Sequence, residues 1–125
     1  MAEKTFRLDV VSPDTSLYSG NATILVAQTT DGELGVLPGH APLLGELAPG
    51  GCVVVTEESG DKIAMAVQGG FLSVTATEVK VLAEAAQFAS EIDASAEQAA
   101  LEAAEEGSAA YLQARSRLRA VAAVS

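Results

Sequence analysis

The first 90 residues alternate short apolar runs with glycine, proline and small polar residues, a pattern typical of β-strands joined by turns. Thr5–Val11 has apolar side chains at every second position, as expected for a half-buried strand. Ala22–Thr29 is apolar on both faces, which predicts a central strand. Turn residues predict breaks at Ser19-Gly20-Asn21 and at Gln68-Gly69-Gly70. The remaining predicted strands are Leu17–Tyr18, Cys52–Thr56, Lys62–Val67, Phe71–Thr75 and Glu78–Leu82.

These strands follow one another at intervals of about 8–12 residues, and no helical pattern lies between them. Such spacing predicts an antiparallel β-sandwich or barrel. Because consecutive strands most often lie next to each other in the sheet, we expect them to be connected as a meander.

One segment, Thr30–Leu44, interrupts the strand pattern. It holds three glycines, two prolines, two acids and the only histidine of the chain, His40. So much glycine and proline argues against a regular helix or strand, whereas its apolar residues argue against a flexible linker. We therefore expect an ordered surface loop that is anchored by Leu34, Val36 and Leu37 and that meets a partner.

Residues 91–125 have a different composition, with one glycine, no proline and twelve alanines. This composition predicts two helices, at about 93–106 and 109–123. Gly107 is suited to end the first helix, and Ser108 is suited to cap the N-terminus of the second. The two helices are expected to pair as a hairpin.

Further details of this hairpin can be predicted. Serine three residues before an acid or a glutamine forms a capping box, and both Ser90 and Ser95 fit that pattern. Each alanine contributes far less than the roughly 1.5–3 kcal/mol of a buried Leu or Val, so the hairpin should dock weakly on the β domain. The sequence leaves open whether the hairpin moves or stays in place. The second helix should pack through Tyr111, Leu118, Val121 and Ala122.

The composition therefore divides the chain into two parts. Residues 1–88 are predicted to form a β domain, and residues 89–125 a helical hairpin. The fold class is α+β with mainly β structure.

The charge balance narrows the classes of partner. Seventeen acids against seven bases give a net charge of −10. Nucleic acids and anionic lipids both attract basic surfaces, so neither is an expected partner. No stretch approaches the roughly 20 apolar residues of a membrane span, so direct insertion is not expected. The single cysteine, Cys52, excludes an internal disulfide and is expected to be a buried thiol in a reducing compartment.

Motifs for catalysis are largely missing from the sequence. It contains no phosphate-binding glycine loop, nucleophile elbow or Cys/His metal spacing. A catalytic His40 would need Glu33, Glu46 or Ser16 beside it, and nothing in the spacing brings these residues together. The alternative is a loop histidine that hydrogen-bonds the backbone or a partner. No catalytic residue and no metal site are therefore predicted.

Two charged groups remain as candidate contacts. Asp31 and Glu33 are either half of a cation site or, as we expect, exposed acids available to a basic partner. Arg115, Arg117 and Arg119 are either a solvated helix end or a basic tip that meets acids, or a phosphate, on another chain.

Several sequence blocks together resemble the epsilon subunits of bacterial F-type ATP synthases. The first block is GELGVLPGHAPLL at residues 32–44, which is followed by Pro49-Gly50. The second is AVQGGFLSV at residues 66–74, and the third is Val81-Leu82-Ala83-Glu84. The order and spacing of these blocks agree with that family along the β domain, and the helical hairpin follows as it does there.

This resemblance implies a β-sandwich of about ten strands followed by a two-helix hairpin. It also implies a non-catalytic central-stalk subunit of the proton-translocating ATP synthase. Such a subunit couples rotation of the membrane rotor ring to ATP synthesis in the catalytic head, and in bacterial relatives its helices can inhibit ATP hydrolysis. The implied partners are the gamma subunit, the rotor c-ring and the catalytic alpha and beta subunits. The implied location is peripheral, at the cytoplasmic face of the plasma membrane.

The resemblance also assigns contacts by position. The rotor ring would meet the acidic turn, which carries Asp31 and Glu33. The loop near gamma and the ring would include His40, Pro42 and Leu43. The basic side chains that can meet acids of the beta subunits would be Arg115, Arg117 and Arg119.

One departure from the family concerns ATP. Some relatives bind ATP between the sandwich and the hairpin through an Ile/Leu-Asp-x-x-Arg-Ala motif. Here Ile92 and Asp93 are followed by Ala96 in place of the arginine and by Glu97 in place of the alanine, and Gln87 stands where relatives have an acid. Without the guanidinium, the phosphates lose a bidentate donor. We therefore expect no cofactor, and weak or absent ATP binding by the isolated subunit.

Two other classes of function remain as hypotheses, a binding module and an enzyme. The chain could be a free-standing ligand-binding β-sandwich module with a helical appendage, whose mouth would be the Thr30–Leu44 segment. It could also be a small hydrolase built around His40.

Overall fold

A computed structural model of the chain describes residues 5–124. The outer ends of the two predicted domains, residues 1–4 and residue 125, lie outside this part. Within it, seven strands are followed by one 3₁₀ turn and two helices. The strands are β1 (Phe6–Val11), β2 (Ser16–Thr29), β3 (Gly32–Val36), β4 (Leu43–Glu46), β5 (Cys52–Glu57), β6 (Lys62–Val74) and β7 (Glu78–Phe88). The 3₁₀ turn is Ala89–Glu91, and the helices are α1 (Ala94–Ala103) and α2 (Ala109–Ala123).

Three long strands give the fold its two layers. The first half of β2 pairs with β1, and its second half pairs with β3 and β5. Similarly, β6 pairs with β5 at its start, with β4 at its end, and with β7 along most of its length. Because β2, β6 and β7 each serve both layers, the seven strands of the described part supply about the ten predicted for the sandwich. The predicted β-sandwich with a C-terminal helical hairpin is confirmed.

The two strand breaks predicted from turn residues are wrong. Ser19-Gly20-Asn21 lies inside β2, and Gln68-Gly69-Gly70 lies inside β6. The positive φ angles of Gly69 (+66°) and Gly70 (+118°) bend β6 while its pairing with β7 continues. These glycines therefore bend a strand as it passes between layers instead of ending it.

The connectivity also differs from the expected meander. β1 and β7, the first and last strands, pair in parallel, whereas the other strand pairs are antiparallel. The added pairing of β1 with β2 closes the sheet on itself. Closure covers the free edge of β1 that an open sheet would leave, whereas β3 remains an edge strand.

The Thr30–Leu44 segment is less irregular than predicted. Its first part is the edge strand β3, so the irregular connection is confined to residues 37–42. Gly35 lies in this edge strand with open space around it, since nothing lies within 4 Å of a Cβ built there. The predicted anchors also need correction: Val36 is 1% exposed and Leu34 is half-buried, whereas Leu37 is 58% exposed.

The ends of α1 differ from the prediction, whereas the start of α2 agrees with it. α1 ends at Ala103 with Ala104 as its C-cap, so the predicted end at Gly107 is wrong. Asp93 caps α1, because its carboxylate accepts hydrogen bonds from the backbone N–H groups of Ser95 and Ala96. The capping boxes predicted at Ser90 and Ser95 are therefore wrong. The predicted cap of α2 is confirmed, since the Ser108 hydroxyl oxygen accepts a hydrogen bond from the backbone of Tyr111 at 3.2 Å.

Two apolar clusters hold the molecule together. The main core lies between the layers, and its largest fully buried side chains are Leu8, Leu25, Leu47, Met65 and Leu72. A second cluster lies between the sandwich and α2. This small-residue cluster consists of Cys52, Ala64, Ala66, Ala89 and Ala120.

The packing face of α2 differs from the predicted stripe. Its buried residues are Ala114, Ser116 and Ala120, whereas Ala122 is exposed. Small side chains on this face allow the helix backbone to approach the sheet closely, and larger residues would not fit. Within residues 5–124, neither helix combines the length and the hydropathy that a membrane span requires.

Candidate functional site

The predicted acidic turn is the tip of the hairpin between β2 and β3. The Thr29 hydroxyl shapes this tip, since its oxygen accepts a hydrogen bond from the Asp31 N–H at 3.2 Å and its proton goes to the Gly32 carbonyl at 2.7 Å. Asp31 and Glu33 are both exposed. The tip therefore presents its two carboxylates to solvent on an ordered hairpin.

The structure brings this acidic turn next to β4. The Thr30 N–H donates to the Glu46 carbonyl at 3.0 Å. Asp31, Glu33 and Leu43, which were predicted in two separate groups, line one shallow concavity of about 270 Å³. Leu44, which also lines it, is 75% exposed. An acidic and apolar surface of this kind suits a partner that offers both basic and apolar side chains.

His40 and Pro42 belong to the neighbouring loop, residues 37–42. The His40 Nδ1 atom is 2.6 Å from the Ala41 carbonyl oxygen, which can only accept a hydrogen bond, so Nδ1 carries the proton. The Gly39 N–H donates to the Ala76 carbonyl and ties this loop to the turn between β6 and β7. Within residues 5–124, none of the three predicted catalytic partners hydrogen-bonds the imidazole. His40 therefore has the backbone contact that was the alternative to a catalytic role.

Two of the three predicted arginines contact the sandwich. The Arg115 guanidinium donates to the Pro49 carbonyl at 3.4 Å, and the Arg119 guanidinium donates to the Gly50 carbonyl at 3.3 Å. Both acceptors lie in the turn between β4 and β5. In this conformation both arginines donate to backbone carbonyls of the sandwich while Arg119 remains exposed, and their contact with acids or a phosphate on another chain stays a prediction.

The third arginine joins the two helices. Arg117 lies 3.3 Å from the Glu97 carboxylate of α1, and both side chains are partly buried. Arg117 also lines a cleft of about 210 Å³ whose other walls include Gln68 and Gln87. Its guanidinium therefore already has a carboxylate partner where an incoming anion would meet it.

One exposed surface was missed in the sequence. On the outer face of the sandwich, Phe71 of β6 pairs with Leu82 of β7, and Leu82 pairs with Val11 of β1. Phe71 is 49% exposed and Leu82 is 47% exposed. We call Val11, Phe71 and Leu82 the apolar row. It borders a concavity of about 250 Å³ that also includes Pro13 and Glu84.

The sequence did contain a signal for the apolar row. In β7 the outward positions carry Glu78, Lys80 and Glu84, and Leu82 is the exception among them. A large apolar residue at a position where charge is the rule indicates a contact surface. The signal is not visible within a single strand, because only the register between β6 and β7 places Phe71 beside Leu82.

Two titratable groups are shifted for structural reasons. Burial, and then the hydrogen bond to Glu57, raise the pKa of Tyr18 to about 12. Burial raises the pKa of the Cys52 thiol, so the thiol is protonated at neutral pH. Among residues 5–124, no group of three His, Cys, Asp or Glu side chains is placed to hold a metal ion.

The family model for the beta-sandwich domain of the ATP synthase delta/epsilon chain matches residues 5–89. The ATP synthase epsilon chain of Rhodococcus opacus is 48% identical over 121 residues, which cover 97% of this chain and 98% of the relative. The epsilon chain of Mycobacterium avium is 46% identical over 124 residues, which cover 99% of each chain.

Two solved structures share the fold. A chain of the Euglena gracilis mitochondrial ATP synthase, solved as OSCP, F1 and c-ring, has a TM-score of 0.74 at 24% identity and covers 100% of this chain and 84% of its own. A chain of the Tetrahymena thermophila mitochondrial ATP synthase, from its central stalk and c-ring, has a TM-score of 0.57 at 19% identity. That match covers 99% of this chain and 98% of the other.

Proposed function

Because the chain belongs to the delta/epsilon family of ATP synthase subunits, we propose that it is the central-stalk rotor subunit of a proton-translocating F-type ATP synthase. As a member of this family it is a non-catalytic subunit of an enzyme complex. It would couple rotation of the membrane rotor ring to ATP synthesis in the catalytic head. The observation that carries the proposal is the 48% identity to an epsilon chain over 97% of this chain, which includes the helical hairpin.

The two exposed surfaces of the sandwich support this role. A subunit that transmits torque needs one contact with the ring and another with the shaft. We assign the acidic turn, with Asp31 and Glu33, to the polar loops of the c-ring. We assign the apolar row to the gamma subunit, because an exposed apolar strip on an ordered sheet favours a lasting partner. The 37–42 loop, with His40 and Pro42, would border both contacts.

The hairpin would supply regulation. We propose that residues 89–125 restrain ATP hydrolysis when α2 leaves the sandwich and meets the catalytic subunits. In the docked conformation, Arg115 and Arg119 donate to backbone carbonyls. Their proposed contacts with carboxylates of the beta subunits are therefore possible only after undocking. Carboxylates are stronger acceptors than carbonyls, so this exchange of partners favours the extended form once a beta subunit is near.

The proposed location follows from the proposed partners. The chain would be held peripherally at the cytoplasmic face of the plasma membrane by gamma and the ring.

The proposed function does not include tight ATP binding by the isolated chain. Ala96 leaves no guanidinium at the motif position, and the Arg117 guanidinium is already paired with Glu97. An ATP phosphate would have to displace the Glu97 carboxylate and then remain beside it.

Reconstitution of the catalytic head with gamma tests the proposal. The head is assembled without this chain, with the full chain, and with a chain truncated after Ser90. We expect both forms of the chain to bind gamma, because the apolar row lies in the sandwich. We expect only the full chain to lower ATP hydrolysis, because the truncated chain lacks both helices.

The outcomes separate the alternatives. If neither form associates with gamma, the stalk assignment fails, and titration with nucleotides and cations would then test a free-standing binding module. If both forms bind but hydrolysis is the same with each, the hairpin has a coupling or structural role and does not inhibit.

A further inference from the structure

The hairpin is attached to the sandwich mainly through one helix. α1 has no buried residue and packs on α2, whereas α2 packs on β5 and β6. The apolar part of this contact is the small-residue cluster, in which α2 contributes Ala120, together with Ala114 and Leu112 of α2. Alanine and cysteine bury little apolar area, so this cluster by itself holds the helix weakly.

A buried hydroxyl adds a polar contact at the centre of the same interface. Ser116 is 0% exposed, and its hydroxyl donates a short hydrogen bond to the Gly51 carbonyl. The Val67 carbonyl lies 3.4 Å from the same oxygen. Arg115 and Arg119 flank Ser116 on α2 and donate to the two preceding carbonyls. We call the backbone carbonyls of Pro49, Gly50 and Gly51 the carbonyl row.

The carbonyl row is held in place by the sandwich. Gly50 has a φ of +78°, and the Gly51 N–H donates to the Ala48 carbonyl, which are features of a type II turn. Gln28 supports the turn from β2, since its side-chain oxygen accepts from the Cys52 N–H at 2.6 Å and its backbone carbonyl accepts from the Ala48 N–H at 2.9 Å. The row is therefore an ordered set of acceptors that do not need to rearrange when α2 docks.

The fit between helix and turn is close. A Cβ built at Gly50 would lie 2.6 Å from the Arg115 guanidinium and 3.0 Å from a methyl group of Leu112. By contrast, a Cβ at Gly39, which has a similar φ of +81°, would meet nothing within 4 Å. A side chain at position 50 would therefore require the Arg115 guanidinium, the end of a flexible side chain, to move away from the turn.

We propose that the carbonyl row is a latch for α2, and that the Ser116 hydroxyl sets how often the hairpin leaves the sandwich. This inference goes beyond the proposed function, because it concerns the isolated chain and needs no other subunit. It also makes the docked state depend on a directional bond, because the short Ser116 side chain loses its acceptor when α2 rotates, whereas the long arginine side chains can follow.

Cys52 provides a reporter for the latch. It is the only cysteine of the chain, it is 4% exposed, and it packs with Ala120 under α2. Cys52 borders an open cleft of about 570 Å³ beside Arg119 and Ala122, so a maleimide should label the docked chain slowly and label it much faster once α2 is displaced. The rate of maleimide labelling of the full chain, measured by mass spectrometry, therefore follows the undocked population.

The first variant is Ser116→Ala, with Gln113→Ala as control. Both replace a polar residue of α2 by alanine, which raises helix propensity, and Gln113 is exposed. A helix held by propensity and apolar packing would undock less often with alanine at 116. The latch predicts the opposite sign: loss of a buried hydrogen bond should speed labelling of Cys52 about tenfold. Ser116→Ala leaves Arg119, which influences the thiol pKa, in place.

The second variant tests the sandwich side of the latch. Gly50→Ala should also speed labelling several-fold, whereas Gly39→Ala, with the same backbone strain in open space, should leave the rate within about twofold of the unmodified chain. This pair decides the question if the Ser116→Ala chain fails to fold. The proposal requires faster labelling in each test variant and not in its control; equal rates within either pair, or slower labelling of Ser116→Ala, overturn it.

Discussion

At Gly70 a single residue decides whether two strands can pair. Its φ is +118°, and a Cβ there would lie 1.9 Å from the Leu82 carbonyl oxygen of the neighbouring strand. That atom is backbone, so it cannot move aside unless β6 and β7 separate. The glycine permits both the bend of β6 and the close approach of β7.

We expect Gly70→Ala to lower the free energy of unfolding by more than about 2 kcal/mol, because it combines backbone strain with a backbone clash. Gly35→Ala is the matched control, since Gly35 also lies in a strand and has open space around it. That control should change the free energy by less than about 0.5 kcal/mol. Urea unfolding of the two full-length variants measures both values, and equal effects would contradict the role given to Gly70.

The arginines of α2 show what residue types alone leave undecided. A guanidinium near a helix end suits a solvated role, a contact with acids or a bond to a carbonyl, and each is chemically reasonable. The position of the turn between β4 and β5, which is far away in the sequence, decides for the carbonyls in the docked conformation. The role of Ser116 could not be predicted either. Nothing in the sequence around a serine in a helix indicates that its hydroxyl will bond a carbonyl 65 positions away.

At the scale of elements, α1 is the most weakly supported. It has no buried residue, and its start depends on the Asp93 cap. The hydrogen bonds that Asp93 accepts from the Ser95 side chain and from the backbone of Ala96 and Ser95 lower its pKa. Ser90, a predicted cap, instead lies in the 3₁₀ turn Ala89–Glu91 that follows β7.

We expect Asp93→Ala to speed hydrogen exchange of the α1 backbone amides several-fold, because two N–H groups lose their acceptor. Ser90→Ala should leave that exchange unchanged. The effect should depend on pH in the direction set by the lowered pKa. The cap's stabilisation is complete above the unfolded-chain pKa of about 3.9 and is lost as the pH falls through the lower folded-state value. Equal effects of the two substitutions would contradict this assignment.

At the scale of the whole molecule, the sandwich and the hairpin meet through two kinds of contact. The β domain has its own large core between two layers. The hairpin adds the small-residue cluster, contacts of Ala114 and Leu112, and polar bonds to backbone carbonyls. This contrast favours a rigid body that transmits force and an attached part that can be released without damage to that body.

In the relatives that bind ATP the nucleotide lies between the sandwich and the hairpin, so the prediction of weak ATP binding concerns the whole chain. Calorimetric titration of the full chain should show no binding at submillimolar ATP, because the required guanidinium is missing and Arg117 is paired. The double variant Ala96→Arg/Glu97→Ala restores the motif and frees Arg117, and we expect it to bind more tightly. Submillimolar affinity of the unmodified chain would contradict the prediction.

The sequence by itself determined the class of the fold, the helical hairpin and the family. These depend on local alternation, on alanine content and on motif order, all of which can be read along the chain. Only the tertiary structure decided the parallel pairing of β1 with β7, the apolar row and the partners of the arginines. The pairing of β1 with β7 and the contacts of Arg115 and Arg119 join residues more than 60 positions apart, and the choice among such contacts depends on strand register and on how the layers close. Local residue patterns carry no information about either.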